Sequence, residues 1–119
     1  MNITKDTLLG YKGPAPTPVD VPQLGGQVFL RVMSGTERDA FESESYKVNG
    51  KSVELNRANF RARLLVKCLA DEAGVRMLAD DDAAALGKLP ADLLDVLATK
   101  ASAINGMSAK DCEDLAKNS

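Results

Sequence analysis

The sequence predicts a mainly α fold: a small helical domain with a short β element (a strand near 27–33) and an extended Pro-rich N-terminal arm over residues 1–25. Three observations predict it. Apolar residues recur at helical spacing across 56–70 and again across 91–104. A single β-branched and aromatic run, Gln27-Val-Phe-Leu-Arg-Val-Met33, has strand character. Residues 13–22 hold four of the five prolines, which fix φ and remove amide donors, so this stretch runs extended as an arm or edge segment. The 119 residues, 45% of them hydrophobic, suffice for one modest core. Residues 1–119 are therefore read as one domain, with 108–119 a marginal tail.

The elements follow in order. Thr4 or Asp6 is placed to cap a short helical turn, which Gly10 and Gly13 break. Gly25-Gly26 leads into the strand, with Val28, Leu30 and Val32 on one face and Phe29, Arg31 and Met33 on the other. Its expected partner is Val53–Leu55, beyond the turn signal Val48-Asn-Gly-Lys51. Ser34-Gly-Thr-Glu37 has capping-box spacing and starts a helix through Asp39, Phe41 and Ser45.

The longest helix is expected from Asn56, as N-cap, to about Ala70. It carries two apolar stripes: Ala58, Ala62, Leu65, Val66 and Leu69, and then Phe60, Leu64 and Cys68. Arg57 with Arg61 separates them on one side, and Arg63 with Lys67 on the other. A surface helix needs one buried stripe, so the second must meet either more of this chain or another molecule. Gly74 closes that helix, and Val75–Leu78 forms an extended link. Asp80 caps a brief helix that ends at Gly87. Pro90 opens the next, whose stripe is Leu93, Leu97, Ala101 and Ile104, and Asn105-Gly106 stops it. Ser108 begins a last short helix over 109–117.

Composition argues against catalysis. The chain has no histidine, the commonest general base and metal ligand. There is no Cys-x-x-Cys pair, no phosphate-binding glycine loop, and no calcium-loop spacing around Asp80-Asp81-Asp82, whose charge suits a helix N-terminus. No metal, cofactor or catalytic residue is expected. Cys68 and Cys112 read as free thiols, one buried and one partly exposed. No apolar run approaches the roughly 18 residues of a membrane span, and Met1–Gly10 lacks a signal-peptide core, so cytoplasmic residence is expected.

The net charge of −2 does not suit a nucleic-acid binder. The charge falls in blocks: Arg57, Arg61, Arg63 and Lys67 without an acid, then Asp71, Glu72 and Asp80–Asp82 against Arg76 alone. Arginines interleaved with leucines favour protein contact. Arg57, Phe60, Arg61, Leu64, Lys67 and Cys68 are therefore the expected partner or oligomer interface.

The order of motifs resembles one family. A Pro-rich arm precedes Val28-Phe-Leu-Arg-Val-Met-Ser-Gly-Thr-Glu-Arg-Asp-Ala-Phe41. Asn59-Phe-Arg-Ala-Arg-Leu-Leu-Val66 and Leu69-Ala-Asp-Glu-Ala-Gly74 come next. Asp80-Asp-Asp-Ala-Ala-Ala-Leu-Gly87 and the leucine-rich helix ending Ile104-Asn-Gly106 complete it. From about Lys5 to Met107 this is similar to the tail assembly chaperones of long, non-contractile-tailed (lambda-like) phages and prophages.

The resemblance implies a small, mainly helical, non-catalytic protein of the infected cell's cytoplasm, absent from the virion. It implies binding to the tape measure protein, help for tail tube subunits polymerising around it, and homo-oligomerisation. It also implies a longer form made by a −1 ribosomal frameshift. Ala116-Lys117-Asn118 permits the slippery sequence A AAA AAY, and gene codons that break that homopolymer, with no other slip site nearby, exclude it. The alternatives are a head–tail joining or minor structural protein of a phage, and a small nucleic-acid-binding regulator.

Overall fold

In the computed structural model, residues 1–107 are described. The expected tail helix, Cys112 and the 116–118 slip site lie outside them. Helix α1 spans Lys5–Leu9, strand β1 Thr17–Val21 and β2 Gly26–Leu30; α2 is Gly35–Glu44. A hairpin of β3 (Tyr46–Asn49) and β4 (Ser52–Leu55) follows. Then come α3 (Phe60–Cys68), β5 (Leu69–Ala70), α4 (Ala83–Leu86) and α5 (Ala91–Ile104). Single 3-10 turns at Pro22–Leu24 and Asp80–Asp82 precede β2 and α4.

The mainly α expectation is corrected: the fold is mixed, with an antiparallel three-stranded sheet in the order β1-β2-β5 and the separate two-stranded hairpin β3-β4. Two segments supply the further strands, one read as an extended arm or edge segment and the other as a helix end. The second half of the proline arm is β1, paired with β2 from Thr17↔Leu30 to Val21↔Gly26, and its Val19 and Val21 are buried. Proline is tolerated there because β1 is an edge strand. The expected end of the long helix instead leaves helical geometry, and Leu69-Ala70 pairs with Leu30 and Phe29. The partner expected for β2, Val53–Leu55, pairs with β3.

Helix α3 is thus shorter at both ends than 56–70. Asn56 does not cap it. Its backbone N–H donates to Ser45 O (2.7 Å), its Nδ2 to Glu44 O (3.0 Å), and its Oδ1 accepts from Ala58 N (3.2 Å), closing the hairpin base. Asn59, at φ +51°, holds the N-cap position without a side-chain cap bond. The other punctuation follows the sequence. Thr4 caps α1, and Ser34 and Glu37 form the expected reciprocal box at α2. Pro90 stands at the head of α5, where Leu93, Leu97 and Ala101 are buried and Ile104 packs on the core.

One core unites these parts. The inner side of the sheet gives Val19, Val21, Leu30 and Leu69, and α2 gives Phe41. Helix α3 gives Leu64, Leu65 and Cys68, against the apolar face of α5. At the C-terminal end of α5, Asn105 joins segments remote in sequence. Its Oδ1 accepts from Met33 N (2.7 Å), while Nδ2 donates to Ala101 O (2.8 Å) and Arg31 O (3.4 Å). Arg38 Nη1 donates to its carbonyl (2.7 Å). Asn105→Ala leaves the Met33 amide buried without that acceptor, an expected loss of about 2–3 kcal/mol, read as a lowered urea midpoint with an unchanged m-value.

Candidate protein-binding surface

The structure scatters the six residues expected to form one interface. Leu64 and Cys68 are fully buried, and Lys67 is 2% exposed. The second stripe therefore belongs to the chain's own core, because α2, α4 and α5 all pack against α3. Phe60 is half-buried, its ring 5.2 Å from that of Phe41, and the Arg63 guanidinium lies 5.9 Å from both ring centres. Arg61 remains exposed and pairs with Asp95 of α5. Arg57 is exposed.

The charge blocks also meet within the molecule. Arg31 pairs with Glu37 (2.5 Å), and Arg76 lies 3.8 Å from Glu37 and 2.7 Å from Asp80. Lys67 Nζ is 3.3 Å from Asp80 and 3.2 Å from Glu44. Three cations and three carboxylates thus alternate from the end of β2 across α2, α3 and the 76–80 link. This arrangement pins these elements together. Burial pushes the Cys68 thiol up to about 11, so it is a poor nucleophile. Among the described residues no cluster of metal-type ligands exists.

Two of these carboxylates make stability depend on pH. Burial alone would raise the Glu37 carboxyl, but Arg31 and the Ser34 amide together outweigh it and hold it below its ordinary 4.5. The Arg76 hydrogen bond, opposed by slight burial and assisted by Lys67, holds Asp80 below its ordinary 3.8. Groups with depressed folded pKa values contribute stability above their unfolded values and lose it as pH falls through the folded ones. The urea midpoint is expected to be flat above about pH 5 as far as these two groups decide it, and to fall as pH drops below their ordinary values. A midpoint unchanged down to pH 3 would contradict the ion pairs.

Exposed apolar side chains gather instead at the N-terminus. Helix α1 buries none of its residues. Ile3 is 70% exposed, Leu8 67%, Leu9 72% and Tyr11 76%. Ile3 and Leu8 occupy the N′ and N4 positions around the Thr4 cap, the places of a hydrophobic staple. Full burial of such a side chain contributes about 1.5–3 kcal/mol, so together they offer a substantial contact. The strap behind α1 is fastened to the body at Pro16, which packs beside Gly74. That glycine has φ +87°, and a Cβ there would lie 3.4 Å from Pro16 Cγ.

The chain matches no protein-family model, no curated protein and no solved structure. The surface must speak for itself. Sequence reasoning passed over α1 because five residues carry too little periodicity to show a face. The available signal was the density of apolar residues at Ile3, Leu8, Leu9 and Tyr11 ahead of a proline strap.

Proposed function

We propose that the chain is a tail assembly chaperone of a long, non-contractile-tailed phage. It binds the tape measure protein, keeps it soluble and favours polymerisation of tail tube subunits around it, without catalysis. The observation that carries this reading is α1, an apolar segment held off a body in which Arg31, Lys67 and Arg76 are paired with carboxylates of the same chain. Such a segment suits a non-catalytic binder of apolar, helix-rich clients. The order of motifs along the chain supplies the choice among binders. It also makes the infected cell's cytoplasm the place of action.

The test is co-expression with the tape measure protein encoded in the same genome. The expected result is a soluble complex that the Leu8→Asp, Leu9→Asp variant fails to form, together with absence of the chain from purified virions. A tape measure protein equally soluble without this chain, or a stoichiometric presence in virions, overturns the proposal. The latter result would favour a head–tail joining or minor structural protein.

A further inference from the structure

We infer that, before any client is met, α1 of one copy docks on the 71–77 turn of a second copy of this chain. That turn carries the body's counterpart to the arm. Val75 is 61% exposed and Met77 54%. They alternate with Arg76, whose guanidinium is turned to Asp80 and Glu37, so both fall on the opposite side of the extended link. The Ala70↔Arg76 bridge and the Met77 N–H to Leu69 O bond (3.0 Å) hold this link on the sheet as a firm platform.

The charges match as well. The part of the arm ahead of Pro16 carries Lys5 and Lys12 against Asp6 alone, a net positive segment. Beside Val75 stand Asp71 and Glu72, both exposed. The Asp71 carboxylate accepts the Ala73 and Val75 amides (2.9 and 3.0 Å) and faces no cation among the described residues. A basic apolar segment thus meets an acidic apolar turn.

Each copy leaves its own pair unmade, since the apolar residues of both arm and turn are exposed. Yet the arm's root lies beside the turn, at the Pro16–Gly74 contact. From Pro16 back to Tyr11 an extended strap reaches about 16 Å. When two bodies meet along this side, each turn therefore comes within reach of the other copy's arm. The exchange is reciprocal, as a two-fold pair requires. The inference rests on α1 being a protein-binding segment, but not on what the client is.

The experiment uses the purified full-length chain alone, with sedimentation velocity reading the mass. The wild type is expected to associate beyond the 12.7 kDa chain mass. The arm variant (Leu8→Asp, Leu9→Asp) and the turn variant (Val75→Asp, Met77→Asp) should each associate at least about ten-fold more weakly, with unchanged far-UV circular dichroism because all four positions are exposed. Mixing the two variants should recover part of the association, since a mixed pair keeps one intact arm and one intact turn facing each other. A wild type that remains monomeric at about 100 μM overturns the inference, because its Kd would then be weaker than roughly that value. So does a turn variant that associates like the wild type, or a mixture that recovers nothing. Failure of tape measure capture with self-association intact would strike only the chaperone reading.

Discussion

Leu64→Asp is expected to unfold the protein. The side chain is fully buried in the cluster that joins the sheet to α2, α3 and α5. A carboxylate there has no cation provided for it, and either its ionised form is stranded or its proton must be retained at a cost in free energy. Loss of the leucine's own packing adds about 2–5 kcal/mol, the range for truncation to alanine. The sum reaches or exceeds the roughly 5–15 kcal/mol of a whole small domain. Phe60→Asp, at a half-buried site beside Arg63, is expected to cost only about 1–2 kcal/mol and to leave the chain folded. Far-UV circular dichroism and urea titration separate the two outcomes. A folded Leu64→Asp with a wild-type midpoint would return the Phe60, Leu64 and Cys68 stripe to the surface.

Lys67 carries the second large effect. Its side chain is 2% exposed, while its carboxylate partners Glu44 and Asp80 keep 38% and 58% of their surface. Removing one member of a buried ion pair commonly costs about 3–5 kcal/mol, mostly through the charge left behind. Here the remaining carboxylates can hydrate, so Lys67→Ala should cost about 2–3 kcal/mol, with lost packing of the stem included. Lys67→Met keeps the apolar stem and should cost no more than about 1 kcal/mol. Equal losses for both would show that the charge matters; equal stability of alanine and wild type would remove Lys67 from the core. Urea midpoints of the three proteins decide it.

Much of this architecture was legible in the sequence where local chemistry governs. The Ser34–Glu37 box, the Thr4 cap, Pro90 at the head of α5 and the Leu93–Leu97–Ala101 stripe follow from spacing alone, because their partners lie within one or two turns. The sheet did not follow. β1 is hidden in a proline run and β5 is two residues at a helix end, so neither shows the alternation that marks a strand. β1 pairs with β2 through the short Pro22–Leu24 turn, whereas β5 exists only because β2 pairs with it far along the chain. The exposed apolar surface was misplaced for a related reason. Two apolar stripes on α3 show that a second cover exists, but not whether it comes from this chain. Here it does, and exposed apolar residues gather instead in and around a five-residue helix. Asn105 was legible as a helix stop; its hold on Met33 and Arg31 depends on the tertiary fold.

The prolines of the arm have a final consequence for the company this protein keeps. Pro14, Pro16 and Pro18 stand at alternate positions, and Pro18 lies within the edge strand opposite Phe29. In an antiparallel ladder alternate residues direct their amides to the same side, and a proline fits only where no amide is required. The outward rim of β1 therefore lacks the donor at Pro18 that an incoming strand would need for a continuous ladder. Growth of the sheet by strand addition from other chains is blocked there. At this rim a neighbouring chain can make side-chain contacts but cannot continue the backbone ladder past Pro18.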